Sequence, residues 1–139
     1  MFREGTVIRA GYKSEDLGLC TTAAVRRSVQ THPRRIAAGN GRAERVRTLA
    51  YTNAGASKLY RSGVATTQEY GHPGTAASPS MITQMRAAAV KAAALPGTRP
   101  CTACVIAWKL GEGSDPALRI PVAQITAWRK LWDMCWART

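Results

Sequence analysis

Residues 80–97 read SMITQMRAAAVKAAALPG. Ser78 or Ser80 supplies a hydroxyl for an N-cap, and Pro96-Gly97 closes the segment, so a helix is expected over Met81 to Leu95. Within it Met81, Met85, Ala88, Ala92 and Leu95 return every three or four residues and fall near one face, with Arg86 and Lys91 off it. Such a stripe is buried only against another helix. The expectation is therefore a mostly α chain, a small helical bundle.

On the C-terminal side, Cys101 to Leu110 reads as helix, opened by Pro100 and broken by Gly111-Glu112-Gly113. Asp115-Pro116 is a cap and first-turn pair, and the last helix is expected from Pro121 to about Ala137. Its apolar stripe is Val122, Ile125, Trp128, Leu131, Trp132 and Cys135, flanked by Arg129, Lys130 and Asp133. Each buried Trp removes on the order of 200 Å² from water, so Trp128 and Trp132 are expected to pack inward against Met81 to Leu95. The alternatives for Trp128, Trp132 and Trp136 are a base-stacking platform or a docking face for a missing domain.

On the N-terminal side, Asn53 is placed to cap a helix from Ala54 to Ser62, ended by Gly63. Arg34 to Ala38 and Arg42 to Ala50 read as two short helices separated by a breaker, Gly39-Asn40-Gly41. Thr66 to Ser78 reads as a loop turning at His72-Pro73-Gly74. Val25 to Pro33 reads as a basic strand or an irregular stretch, and Pro33 starts a new element. At the N-terminus Thr6 to Ala10 is expected as a strand, Gly11 to Ser14 as a turn and Asp16 to Cys20 as a second extended piece. Together these make a minor N-terminal β-hairpin or strand pair. With 139 residues, 45% of them apolar, the chain supports one modest core. It divides into residues 1–20, the strand pair, and residues 21–139, the basic helical part.

Twenty Lys and Arg against eight Asp and Glu give a formal net charge of +12. Such a field attracts polyanions. The excess is concentrated, because residues 17–68 carry nine basic side chains and a single acid, Glu44. Most are arginines, whose planar donor fork matches phosphate oxygens. Arg26, Arg27, Arg34, Arg35, Arg42, Arg45, Arg47, Lys58 and Arg61 are therefore the candidate nucleic-acid contacts. The blander possibility is a solvated basic face.

Catalytic patterns are sparse. A nucleotide polymerase needs carboxylates converging on two metal ions, usually from adjacent aspartates. The only aspartates are Asp16, Asp115 and Asp133, and the neighbours Glu15 and Asp16 point to opposite faces of an extended chain. Cys101 and Cys104 have the spacing of half a zinc site, without a second half nearby, and are read as two small buried thiols on a helix. Gly111-x-Gly113-x-x-Pro116 is a turn rather than a dinucleotide fingerprint. No cofactor is expected. The longest apolar run, Ala103 to Trp108, is far short of the roughly 20 residues that cross a bilayer, so no membrane is expected as partner. With no apolar leader after Met1, the expected location is intracellular, in nucleus or cytoplasm, with reduced cysteines.

Leu59-Tyr60-Arg61-Ser62-Gly63-Val64 followed by Glu69-Tyr70-Gly71 resembles the thumb of LINE-type (non-LTR) retrotransposon reverse transcriptases, where a Leu-Tyr-basic helix leads to a Tyr-Gly pair. Asp16-Leu17-Gly18-Leu19 is similar to the segment that closes the palm in that family. The sequence departs from it in having Asp16 before Leu-Gly and His72-Pro73-Gly74 after Tyr-Gly. The resemblance implies a truncated, non-catalytic thumb that grips the RNA or DNA duplex backbone. It also raises a palm-bearing partner chain, which this one would complete in trans. The competing expectation is a basic helical protein-interaction module. The sequence leaves the oligomeric state open.

Overall fold

In the computed structural model, which describes residues 13–16, 19–22, 31–95 and 101–137, Thr31–Thr52 forms one helix of 22 residues, α1. The break expected at Gly39-Asn40-Gly41 does not occur. A β-carbon on Gly39 would lie 2.2 Å from Cγ of Gln68, so the bare glycine lets a buried glutamine press against the helix backbone. Gln68 Nε2 then donates to Asn40 Oδ1 at 3.0 Å. Each interior glycine weakens a helix by about 1 kcal/mol. Here tertiary packing outweighs that penalty, and His32, Ile36, Gly39, Ala43 and Val46 make the buried side of α1.

Asn53 caps the next segment as expected, its Oδ1 accepting the Gly55 N–H at 2.9 Å. The chain does not continue as one helix to Ser62. A 3₁₀ helix, Ala54–Lys58, leads into wider π-helical turns over Tyr60–Ala65 and then α2, Thr66–Glu69. Gly63 lies inside this run and does not end it. The i→i+5 winding brings Tyr60, Val64 and Ala65 to one side, and all three are fully buried. The loop expected over Thr66 to Ser78 is thus partly helical: α2 is followed by α3, His72–Thr75, after Gly71 turns the chain at φ 84°.

Ser78 caps α4, Pro79–Ala92, its hydroxyl accepting the Met81 N–H at 3.3 Å. Met85, Ala88 and Ala92 of the expected stripe are buried, and Met81 and Leu95 are half-buried. Helix α5, Thr102–Val105, continues as π-helical Ile106–Leu110 and stops at Gly111, φ 94°. Asp115 Oδ1 then accepts the Ala117 N–H at 2.9 Å and starts α6, Pro116–Trp136. This helix begins at Pro116 rather than Pro121. An interior proline forfeits a backbone bond at a cost of about 3 kcal/mol. The first turns withstand it because Pro116 and Ile120 are buried and Asp115 is tied to Arg86 at 3.0 Å.

The core forms where Ala43 and Val46 of α1 meet Ala88, Ala89 and Ala92 of α4, closed by Tyr60, Val64, Ala65, Ile106 and Leu110. A smaller cluster joins Ile36, Met85 and Ile120. The architecture is the expected mostly α bundle. At the other end of the chain, β1 (Lys13–Asp16) and β2 (Leu19–Thr22) pair antiparallel, Lys13 opposite Thr22 and Asp16 opposite Leu19. Strand pairing therefore reaches Lys13 and Ser14, where a turn is expected from the sequence. The strand expected over Thr6 to Ala10 lies outside the described residues.

The expected packing of the last helix is also overturned. Trp128 and Trp132 do not pack inward; they are 69% and 63% exposed. Helix α6 meets the bundle through Ile120 and the half-buried Ala123, Gln124 and Ala127. At about 100° per residue, Val122, Ile125 and Trp132 lie more than about 100° around the axis from Ile120, and Trp128 about 80°.

Candidate nucleic-acid interface

Helical geometry assembles four of the candidate arginines. Arg34, Arg35, Arg42 and Arg45 fall within about 100° of arc on α1, away from its buried side, and span about 16 Å. That length matches about five steps of one duplex strand at 3.4 Å per charge. Arg34 and Arg45 are exposed, with no hydrogen bond or ion pair among the described residues. Arg35 donates from Nη1 to the Tyr70 carbonyl at 2.9 Å, and its guanidinium lies 4.5 Å from the centroid of the Tyr70 ring. Arg42 donates from Nη1 to the Gly63 carbonyl at 3.0 Å and to Thr67 Oγ1. Those two arginines hold α1 against residues 60–70, and five N–H donors per guanidinium leave more for a ligand.

The other candidates are distributed differently. Arg47 lies on another side of α1, paired with Glu44 at 3.1 Å and with the Tyr51 hydroxyl. Glu44 is shared with Lys91 at 3.2 Å, and the hydrogen bond from Lys91 holds its carboxyl below the ordinary value. Lys58 and Arg61 are exposed on the turns after α1. Between them in sequence, Leu59 lines a depression with Leu49 and Thr52, at the C-terminal end of the arginine face. Arg26 and Arg27 lie outside the described residues.

Sequence reasoning missed the far wall of this face. Arg35, Thr66, Thr67 and Tyr70 line a shallow depression, with the half-exposed Tyr70 ring beside the guanidinium. An aromatic ring flanked by arginine is a surface on which a base or sugar can stack. No periodicity could reveal a pair separated by 35 positions. Glu69 and Gly71, on either side of Tyr70, are structural: Gly71 turns the chain, and Glu69 takes two contacts from Arg119, at 2.7 and 2.5 Å. Burial raises the Glu69 carboxyl above its ordinary value by more than Arg119 lowers it. Tyr60 is buried, which pushes its phenol well above the ordinary range.

Cys101 and Cys104 are exposed, not buried as expected. The turn they occupy points Val105 and Ile106 into the core and leaves both thiols outside. The Cys104 backbone N–H lowers the Cys101 thiol from its ordinary value, while the bond between the two thiols raises Cys104. No group of three or more His, Cys, Asp or Glu side chains that could hold a metal occurs among the described residues. Asp115 is engaged as cap and ion-pair partner, and Asp133 lies 3.9 Å from Arg129. No helix among the described residues is long and apolar enough to cross a membrane.

No protein-family model matches the sequence, and the comparisons with curated proteins and with solved structures found no match either.

Proposed function

We propose that this chain binds the phosphate backbone of duplex nucleic acid, RNA or DNA, as a non-catalytic, thumb-like remnant of a retroelement reverse transcriptase. The observation that carries the binding is the gathering of Arg34, Arg35, Arg42 and Arg45 on one face of α1. The retroelement origin rests on the short motifs at residues 16–19, 59–64 and 69–71 alone. Phosphate contacts set position and register but read no sequence, so binding has weak sequence preference. Completion of a polymerase in trans would add a palm-bearing partner to the same grip. The test is a binding titration on duplex DNA at several salt concentrations. Neutralising about five phosphates gives log K falling against log salt with a slope of roughly −4 to −5. A flat response, or no binding at low salt, rejects the proposal.

A second reading, a basic protein-interaction module, is favoured by one observation, the exposed apolar face of α6. It requires no salt-sensitive binding to nucleic acid.

A further inference from the structure

Helix α6 has two apolar faces, and the bundle uses only one. On the other, Val122, Ile125, Trp128, Trp132 and Trp136 are between 61% and 69% exposed. An aromatic side chain carries roughly 150–250 Å². Three mostly exposed tryptophans with Val122 and Ile125 therefore offer on the order of 700 Å². The largest apolar patch on a typical monomer is about 300–600 Å². A standard interface takes about 800 Å² from each partner.

The charges around the stripe indicate what covers it. Arg119 is committed to Glu69, which leaves Arg129, Lys130 and Asp133 on the second half of the helix. An amphipathic helix that binds an anionic lipid surface carries a polar face rich in Lys and Arg, and this near-neutral set does not supply one. Five arginines against one acid make α1 the more basic surface instead. An identical stripe from a second copy matches in area, apolarity and charge, and a two-fold interface is self-complementary by construction.

We infer that a second copy of this chain docks on the exposed face of α6, antiparallel, with the crossing near Trp128 to Trp132. Orientation is set by one flank. Arg129 and Asp133, four residues apart, lie on the same side of the stripe. In an antiparallel pair equal flanks meet, which brings each Arg129 beside the partner subunit's Asp133. In a parallel pair they diverge. Within one chain this ion pair is loose, at 3.9 Å with side chains 83% and 67% exposed, so both groups are available across the interface. Antiparallel helix dipoles also attract. The inference rests on α6 and is independent of the arginine face.

Sedimentation of the full chain, freed of nucleic acid and at tens of micromolar, tests it. The expected species has twice the 15.0 kDa mass of one chain. Trp128→Glu and Trp132→Glu each weaken association by about 30-fold or more, as loss of a central contact does. Both leave far-UV circular dichroism unchanged, because these side chains are exposed in the protomer. Asp133→Arg weakens the dimer, and the exchange Arg129→Asp with Asp133→Arg restores it. Four results overturn the inference: a monomer at these concentrations, unfolding of the two Glu variants, failure of the charge exchange to restore association, or tryptophan burial only when anionic vesicles are added.

Discussion

A β-carbon placed on Gly39 would stand 2.2 Å from Cγ of the buried Gln68, whereas one placed on Gly41, two residues along the same helix, meets nothing within 4 Å. The two glycines of one apparent breaker therefore have opposite roles. Gly39→Ala is expected to destabilise the chain by about 1–3 kcal/mol, the overpacking penalty exceeding the gain in helix propensity. Gly41→Ala is expected to stabilise it by about 0.5–1 kcal/mol. Urea denaturation of the two variants measures both signs, and equal effects would contradict the packing of Gln68 on α1.

Ala76 holds φ 59° with ψ 159°, a conformation that only glycine adopts without strain, at a cost of about 1–3 kcal/mol. Ala76→Gly should raise stability by about 1 kcal/mol after the extra freedom of glycine in the unfolded chain is offset. Thermal unfolding reads this as a higher midpoint. A lower midpoint would show that the turn between α3 and α4 is unstrained.

Glu69 makes a pH-dependent contribution of unusual sign. Its carboxyl is raised by burial even beside Arg119, so the folded chain holds that proton more tightly than the unfolded one. The associated stability is present below the ordinary Glu range and is lost as pH rises through the folded value. Glu69→Gln removes this dependence, and its midpoint relative to wild type should therefore improve between pH 4 and pH 7. A relative midpoint that falls over the same interval would mean that the Arg119 ion pair dominates.

Cys101 and Cys104 are both exposed but differ in their hydrogen bonds. Thiolates are the nucleophiles, so limited iodoacetamide near neutral pH should label Cys101 before Cys104. Peptide mass spectrometry reads the order. Equal labelling would place the two thiols in equivalent surroundings.

Local signals are legible in the sequence wherever one residue acts on its neighbours. Asn53, Ser78 and Asp115 cap the elements after them, and the stripe Met85, Ala88 and Ala92 faces the core. Signals fail where a distant residue decides. Gly39 reads as a breaker until Gln68 is seen against it. Helix α2 hides in a polar segment because its one buried residue is that same Gln68. The tryptophan stripe reads as core because periodicity shows that a face is apolar and does not say which molecule covers it. For the candidate site, the arginine face emerges from spacing on α1 once the helix is known to be continuous. The same spacing sets Arg47 about 120° beyond that face, where it pairs with Glu44 and Tyr51. Tyr70 is out of reach because its partner lies on another element.

Arg34 and Arg45 give the most direct test of backbone binding. Both are exposed and contribute no bond to the fold among the described residues, unlike Arg35 and Arg42. The measurement is the salt dependence of duplex binding for Arg34→Gln with Arg45→Gln, beside a control with Lys109→Gln and Lys130→Gln. The arginine-face variant is expected to lose affinity and about 2 units of the log K against log salt slope, while the control keeps the wild-type slope. Equal losses from the two pairs would mean that net charge alone attracts the ligand, and an unchanged slope in the arginine-face variant would remove α1 from the interface.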